Sequence, residues 1–327
     1  MPPSSRCWVP IPAPCSAGCE RQCPVFNKIV IFGVGLIGGS FALALKKAGM
    51  VERIIGVGRT AAPLTRAREL GIIDEACAST ADALRTALHQ ADLVLIAAPV
   101  AQTEAILAAI QPYLQPGTVV SDAGSTKNDV VAAARRALGE KIAQFVPGHP
   151  IAGRESNGPE AAIVDLYVGK KVVLTPLLEN TPQDVARVAD AWRQCGAIIH
   201  QLTPENHDLV FAAVSHLPHL LAYALVDEVA RKPHADLLFQ YAASGFRDFT
   251  RIAGSSPEMW RDISLANQTA LLGELDAYVA QLLRLRGMLA EGNGPALDSV
   301  YANAQQARHN WINAIEAAEQ QHKEGGN

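Results

Sequence analysis

A glycine-rich turn near the start of the chain constrains the fold more than any other feature. The run Lys28–Phe32 is apolar and rich in β-branched residues, and a segment with helical spacing follows the turn. The turn has the pattern Gly-x-Gly-x-x-Gly, formed by Gly33, Gly35 and Gly38. In such a turn the first glycine permits a tight bend, the second lets the backbone approach a pyrophosphate, and the third lets helix and strand pack closely. The segment therefore predicts a strand–turn–helix unit that binds a dinucleotide.

The residues that follow the second predicted strand favour NADP over NAD. NAD-binding units usually place Asp or Glu about twenty positions after the last glycine, and this chain has Gly58 there, followed by Arg59 and Thr60. When the acidic residue is missing and an arginine follows its position, the site suits the 2′-phosphate of NADP. NADP is therefore the predicted cofactor, and NAD is the alternative in which Arg59 is only a surface charge. The predicted cofactor-binding residues are Gly33, Gly35, Leu36, Ile37, Gly38, Arg59, Thr60 and Pro99.

Composition indicates a chain that can bury a sizeable core. The 327 residues are 49% hydrophobic and 18% charged, which suggests two domains. A net charge of −4 and a pI of about 6.1 give no basic footprint, so no nucleic-acid partner is predicted. No apolar run approaches the roughly 18–20 residues that span a bilayer, so no membrane partner is predicted either.

The cysteines separate an N-terminal extension from the rest of the chain. Four of the six lie within the first 26 residues, a Pro/Ser/Cys-rich stretch without periodicity, and residues 1–27 are predicted to be a disordered extension. The spacing of Cys15, Cys19 and Cys23 matches none of the common zinc pairs, so no metal is predicted. Cys77 and Cys195 lie in apolar surroundings and are predicted to be buried. Because no disulfide framework is present, the predicted location is the cytoplasm.

Residues 28–202 are predicted to form an α/β dinucleotide-binding domain of the Rossmann type. Strands alternate with helices, as in a mainly parallel, doubly wound sheet. Pro99 ends the run Leu93–Ala97 where the far half of a dinucleotide would lie. The predicted strands are Lys28–Phe32, Arg53–Val57, Leu93–Ala97, Thr118–Ser121, Gln144–Val146, Lys171–Leu174 and Ala197–Gln201. The predicted helices include Ala61–Leu70, Ala81–His89, Gln102–Tyr113, Lys127–Leu138 and Pro182–Cys195.

Residues 203–319 are predicted to form an all-α substrate and dimerisation domain, followed by a flexible tail at 320–327. Thr203 and Pro204 suit the cap and the first position of a helix. The stretch beyond them is rich in Ala and Leu, with more apolar surface than one short bundle needs, so a homodimer through these helices is predicted. The predicted helices are His207–Ala230, Leu237–Ala243, Pro257–Met288 and Leu297–Glu319.

Four polar segments are candidates for the chemistry. Ser125 follows a predicted strand and could act on substrate or only cap a helix, whereas Thr126 is predicted to be a cap. His149 is framed by Gly and Pro in a predicted loop and suits a base near neutral pH.

The other two candidate segments lie in the predicted helical domain. The segment Ser215–His219 places two histidines on one helix face, where they could bind substrate or be buried in the core. Arg247 and Arg251 could share a helix face and grip a carboxylate, or form surface ion pairs. These residue types are typical of hydride transfer from a hydroxyl-bearing carbon of an anionic substrate.

The same motifs, taken in order, resemble the prephenate/arogenate dehydrogenase family of tyrosine biosynthesis. The resemblance covers about residues 28–312. It rests on the motifs Gly33–Ser40, Asp122–Lys127, Gly148–Gly153, Ser215–His219, Asp248–Ala253 and Met259–Asp262. The His-Pro-Ile-Ala-Gly and Ser-His-Leu-Pro-His pair is the most specific part.

The resemblance implies NAD(P)-dependent oxidative decarboxylation of prephenate to 4-hydroxyphenylpyruvate, with arogenate, or both substrates, as alternatives. It implies that His149 deprotonates the ring hydroxyl and that Ser125 bridges this hydroxyl, the nicotinamide and His149. It further implies that Arg251 binds a substrate carboxylate and His219 lines the pocket. Glu155 would help to gate the site. Trp260 would approach the partner subunit's pocket.

Two departures and two rivals accompany this resemblance. Many family members have an acid where this chain has Gly58, and no residues remain for a fused mutase or regulatory domain. One rival is a reductase of β-hydroxyacids or cyclic imines with a similar domain pair. The other is a non-catalytic NADP(H)-sensing protein, which would not need Ser125, His149 and Arg251.

Overall fold

The computed structural model describes residues 25–154 and 156–324, with side chains up to residue 315. The strands are β1 (Phe26–Phe32), β2 (Val51–Gly58), β3 (Glu75–Ala78), β4 (Leu93–Ile96), β5 (Val119–Asp122), β6 (Phe145–Val146), β7 (Gly148–Pro150), β8 (Lys171–Leu174) and β9 (Ile198–Gln201). The helices are α1 (Leu36–Lys47), α2 (Ala61–Glu69), α3 (Ala81–Leu88), α4 (Thr103–Ile110), α5 (Asn128–Leu138), α6 (Pro182–Gln194), α7 (Pro204–Phe211), α8 (Leu217–Ala230), α9 (Ala235–Gln240), α10 (Ser244–Thr250), α11 (Pro257–Ala266), α12 (Gln268–Ala290) and α13 (Gly294–Glu324).

A parallel sheet with the order β3-β2-β1-β4-β5-β6 forms the first part of the molecule. Apolar clusters cover both faces. One contains Phe41 of α1 and Trp192 of α6, whose rings lie 4.6 Å apart; the other is formed with α3, α4 and α5. Strand order reverses between β1 and β4, and ligands of such sheets bind outside the carboxyl ends of the strands at that point. The predicted doubly wound α/β class and the all-α remainder are both confirmed.

The prediction of a single sheet was wrong, because β7, β8 and β9 form a separate one. In it β7 pairs antiparallel with β8, and β8 pairs parallel with β9. Pro147 stands between β6 and β7, and a proline cannot donate to a strand ladder, so the chain leaves the first sheet there. Consequently His149 lies on a strand and not, as predicted, in a loop.

Other boundaries differ for local reasons. The edge strand β3 was missed because Cys77 is its one buried residue, which gives no apolar run. The extension predicted for 1–27 overlaps β1, which begins at the buried Phe26, and residues 1–24 lie outside the described part of the chain. The helix predicted over Pro257–Met288 divides at Asn267 into α11 and α12. At the other end, α13 continues past residue 319, through part of the predicted tail.

One helical stretch, Pro204–Ala230, is long and apolar enough to cross a membrane by length and composition, with a mean hydropathy of 1.8. The prediction that no run approaches this length was therefore wrong. The stretch also carries His207, Asp208 and His216, all of which are buried against other parts of the protein. In the most apolar 18-residue window, 28% of the residues are buried inside the protein, so length and composition alone single out this stretch.

Candidate active site

The glycine turn has the geometry that each glycine was predicted to provide. Gly33 has φ +89°, and a Cβ there would lie 2.5 Å from the carbonyl oxygen of Ala97. A Cβ on Gly38 would lie 2.2 Å from the carbonyl oxygen of Gly33. On Gly35, by contrast, a Cβ would meet nothing nearer than the backbone nitrogen of Gly158, at 4.0 Å. The first and third glycines are thus required by the fold, whereas the second leaves open space where a pyrophosphate would approach.

The helix α1 begins at this open space. Gly35 is its cap residue and makes no side-chain cap bond, so the first N–H groups of Leu36 and Ile37 are oriented for an anion. Leu36 itself is buried under the turn, and Ile37 is half-buried. The carbonyl oxygen of Ile37 accepts a hydrogen bond of 2.6 Å from the hydroxyl of Tyr167. The donor set at the start of α1 therefore fits the phosphates of a dinucleotide.

The end of β2 lies at the same edge of the sheet. Gly58 closes the strand, and Arg59 and Thr60 are exposed just before α2. A Cβ on Gly58 would come within 3.3 Å of Leu64, so a larger residue would press on that side chain. Arg59 is thus an exposed cation at the end of β2.

Pro99 and Ser125 extend the site along this edge. Pro99 is exposed three residues after β4 ends, and half-buried Ser125 follows β5 by the same interval. The backbone of Ser125 lies beside the ring of His216 from the helical part of the chain. Ser125 thus lies where the carboxyl end of the sheet meets the helical half of the molecule.

A buried ion pair anchors the loop that carries Ser125. The ammonium of Lys127 bonds to the carboxylate of Asp122, and both side chains are almost fully buried, at 0% and 1% exposure. Asp122 also accepts hydrogen bonds from the N–H of Gly124 at 2.8 Å and of Gly148 at 3.0 Å. One carboxylate therefore ties the end of β5 to the start of β7, immediately before His149.

His149 projects from β7 into the contact between the two halves of the protein. It is 9% exposed, and its Nδ1 lies 2.8 Å from Nε2 of His207 on α7. The ring of Phe211 packs edge-on against it at 4.9 Å between centroids. Burial, followed by the nearby His207 and Lys127, holds the pKa of His149 well below its ordinary value. The ring is therefore neutral at physiological pH and able to accept a proton.

Asp208 connects this histidine pair to the first half of the chain. Its Oδ1 lies 2.8 Å from Nδ1 of His207 and accepts from the N–H of Lys127 at the same distance, while Oδ2 accepts from the N–H of Asn128. The start of α5 is thus capped by a side chain of α7. The prediction that Thr126 caps this helix was wrong, because its buried hydroxyl bonds to none of the helix N–H groups among the described residues.

The Ser-His-Leu-Pro-His motif spans the end of a π-helical segment, Ala212–His216, and the start of α8. Pro218 cannot donate a helical hydrogen bond, and such a lost bond widens a helix in this way. His219 stacks on Trp260 with centroids 3.5 Å apart, and His216 lies edge-on to the same ring at 6.1 Å. The two histidines therefore share one face, as predicted.

Asn267 connects this motif to the junction of α11 and α12. Its side-chain amide donates to Nδ1 of His216 and to the carbonyl oxygen of Asp208, and these bonds stabilise the break between the two helices.

The remaining predicted substrate groups lie around this pocket or outside the described residues. Arg251 is exposed at the end of α10 and close enough to His219 to lower the pKa of that ring, after the larger effect of burial. Trp260 contacts His219 of its own chain, and its approach to a partner's pocket stays a prediction. Glu155 lies outside the described residues.

Sequence reasoning missed four residues of this arrangement: Asp122, Lys127, His207 and Asp208. The first two lie in a motif that was noted without roles. No local signal distinguishes the others, because His207 and Asp208 follow the exposed polar residues Glu205 and Asn206 in the first turns of α7. Their burial beside His149 gives that pair a place in the site.

The fold and this arrangement define a dinucleotide-dependent dehydrogenase, an oxidoreductase with a helical second domain. A family profile described as the prephenate dehydrogenase nucleotide-binding domain matches residues 41–201, and one described as the prephenate dehydrogenase dimerization domain matches residues 203–303. The chain therefore belongs to the prephenate dehydrogenase family.

Individual relatives agree with this assignment. The chain is 37% identical to a cyclohexadienyl dehydrogenase of Zymomonas mobilis over 87% of this chain and 96% of the relative. A crystal structure of prephenate dehydrogenase from A. aeolicus, in complex with hydroxyphenyl propionate and NAD+, superposes with a TM-score of 0.80 at 35% identity, covering 86% of this chain and 97% of that one. An arogenate dehydrogenase of Synechocystis gives 0.71 at 30% identity, covering 87% and 99%.

Proposed function

We propose that this protein oxidises prephenate to 4-hydroxyphenylpyruvate with loss of carbon dioxide, and that NADP is the acceptor. The observation that carries the proposal is the buried His149, whose Nδ1 lies 2.8 Å from Nε2 of His207 on a strand that Asp122 ties to the loop carrying Ser125. A hydroxyl-bearing carbon placed there has a base within the protein and a dinucleotide site at the same sheet edge. The relative crystallised with hydroxyphenyl propionate binds a phenolic carboxylic acid, a ligand of the same chemical class as this product.

The fit of a dinucleotide rests on the space over Gly35 and the donors at the start of α1. When bound, a nicotinamide cofactor supplies the hydride acceptor for the ring carbon. In this proposal Gly33, Gly35, Gly38, Leu36 and Ile37 hold the pyrophosphate. Pro99 lies along the far half of the site.

The protein's own residues supply proton transfer and orientation. Nε2 of His149 accepts the proton of the C4 hydroxyl as that carbon is oxidised, and Ser125 orients the hydroxyl. Loss of the C1 carboxylate as carbon dioxide makes the ring aromatic, and the proton returns from His149 to the phenolic oxygen. Arg251 holds the side-chain carboxylate, and His219 and Trp260 line the pocket. Because aromatisation drives the reaction, a base and fixed geometry suffice.

A steady-state matrix of prephenate and arogenate against NADP and NAD tests this proposal. We expect the highest kcat/KM with prephenate and NADP. Arogenate is the alternative substrate, which a Synechocystis relative is named for, and it differs by an amine in place of the ketone. Folded protein that reduces neither cofactor with either substrate would refute the activity.

Replacing Arg59 by Gln tests the cofactor assignment. An exposed charge paired with a phosphate is worth about 1.5–3 kcal/mol, so the KM for NADP should rise by about 10- to 100-fold while the KM for NAD changes little. Arg68→Gln, also exposed on α2, is the matched control. Equal effects on both cofactors would mean that Arg59 is only a surface charge.

Replacing Arg251 by Gln should weaken substrate binding. Loss of a charged hydrogen bond to a carboxylate predicts a rise in the KM for prephenate of about 10- to 100-fold, with a smaller change in kcat. Arg231→Gln, at an exposed helix end with its own partner Asp227, serves as the control. An unchanged KM would remove Arg251 from the carboxylate site.

We infer that the helical domain forms a homodimer and that the domain boundary falls at residues 202 and 203. The inference is supported by the match to a dimerization domain from residue 203 and by apolar side chains exposed on α12 and α13, among them Leu283 and Trp311. Light scattering should give twice 34.8 kDa, and Leu283→Glu should shift the protein towards monomer. A monomeric wild-type protein would contradict the inference.

The cytoplasm is the location we propose, because enzymes of this class are soluble.

A further inference from the structure

A line of three buried side chains runs from the proposed base into the helical domain. His149 Nδ1 and His207 Nε2 are 2.8 Å apart, and His207 Nδ1 and Asp208 Oδ1 are also 2.8 Å apart. His207 is 0% and Asp208 2% exposed. The three groups therefore interact with little competition from water.

The hydrogen positions along this line follow from the partners of Asp208. Both of its oxygens accept hydrogen bonds from backbone N–H groups, of Lys127 and Asn128. Burial alone would raise the pKa of Asp208, but these bonds and the one from His207 outweigh it and leave the pKa below its ordinary value. The carboxylate is therefore ionised and can only accept, so Nδ1 of His207 must be the donor.

The hydrogen position on His207 in turn determines which ring nitrogen of His149 carries a hydrogen. Burial also lowers the pKa of His207, so its ring is neutral and carries one hydrogen, on Nδ1. Its Nε2 must then accept, and the donor is Nδ1–H of His149. The lone pair of His149 consequently lies on Nε2, the nitrogen that remains for a substrate. Phe211 packs against both rings, at 4.9 Å and 4.5 Å between centroids, and thus fixes their orientation.

We propose that His207 and Asp208 are positioning residues that hold His149 in the tautomer whose Nε2 can accept a proton. The proposal rests on the proposed function, in which His149 is the base. When His149 takes the proton it becomes a cation that also faces Lys127 and His216, both of which disfavour it. Asp208, at the end of the line, provides the compensating negative charge. A carboxylate orients a catalytic histidine in the same way in hydrolase triads.

Two substitutions at position 207 separate positioning from simple packing. In His207→Gln the amide oxygen can take the place of Nε2 and accept from His149, although the bond to Asp208 is lost. In His207→Asn the amide can still donate to Asp208, but nothing reaches His149. We expect kcat to fall by about 10- to 100-fold in His207→Asn and by less than about fivefold in His207→Gln. A structural role would instead make both variants lose activity in proportion to their loss of Tm.

Asp208→Asn should have the larger effect, because it removes the negative charge at the end of the line and leaves an amide N–H facing the backbone N–H of Lys127 or Asn128. We expect a loss of about 100-fold or more in kcat, and nitrogen-15 NMR of the wild-type histidine rings should show the hydrogen of His149 on Nδ1. Comparison with the His149→Asn spectrum assigns the signal of His149. The control is His89→Gln, because His89 is exposed at the end of α3. Kd for NADP should stay unchanged throughout.

The NMR readout keeps the two proposals apart. If the wild-type protein shows hydrogen on Nε2 of His149, the positioning role is refuted whatever the activity. If the tautomer is as derived but neither prephenate nor arogenate is oxidised, the proposed function fails instead.

Discussion

The His149→Asn variant is expected to lose about 10²- to 10⁴-fold in kcat, the usual contribution of a general base, while its Kd for NADP changes by less than about twofold. Asparagine retains a group that can bond to Nε2 of His207, where Nδ1 of His149 lies at 2.8 Å, but it lacks Nε2. The substitution therefore removes the proton acceptor and leaves the packing of β7 in place.

The pH dependence of kcat/KM and a control variant complete this test. The pKa of His149 is held below 6.5 by burial, and the base must be unprotonated, so wild-type kcat/KM should fall only as the pH drops well below 6.5. This acid limb should be absent from the residual activity of His149→Asn. His89→Asn, at an exposed site, should behave as wild type. Near-normal turnover in His149→Asn would exclude His149 as the base.

The Lys127→Met variant is expected to lose about 3–5 kcal/mol in the free energy of unfolding. Methionine fills a similar volume but leaves the carboxylate of Asp122 buried without its cation, and breaking a buried pair from one side costs about this much. Urea or guanidinium denaturation, followed by far-ultraviolet circular dichroism, measures the change.

The size of this effect depends on burial, which supplies the control. Lys170 is exposed, and Lys170→Met should change the free energy of unfolding by less than about 0.5 kcal/mol. Because Asp122 also holds the N–H of Gly148, Lys127→Met should disturb β7 and reduce turnover as well. A loss below about 1 kcal/mol would mean that water reaches Asp122 after the substitution, and the ion pair would then not anchor the site.

The sequence predicts most of the dinucleotide-binding half, because its signals are local. The roles of Gly33 and Gly38 follow from the spacing of one turn, and the structure confirms them through the atoms that a Cβ would meet. His149 was identified by its Gly and Pro neighbours, although its strand was not. That strand is three residues long and pairs with β8 at the edge of its sheet, so no periodicity could reveal it.

The support around His149 could not be predicted in the same way. His207 is 58 positions away, on a helix whose neighbouring residues Glu205 and Asn206 are polar and exposed. Asp208 caps a helix that starts 80 positions earlier in the chain, whereas the known cap motifs are local. Such contacts depend on how two domains pack, and a single sequence carries no record of that packing.

Product analysis tests the central claim most directly. With prephenate and NADP, the wild-type protein should form NADPH, carbon dioxide and 4-hydroxyphenylpyruvate in equal amounts, because hydride transfer and decarboxylation are parts of one reaction. If carbon dioxide or NADPH forms without the other, or if neither forms with prephenate or arogenate and either cofactor, the proposed reaction is contradicted.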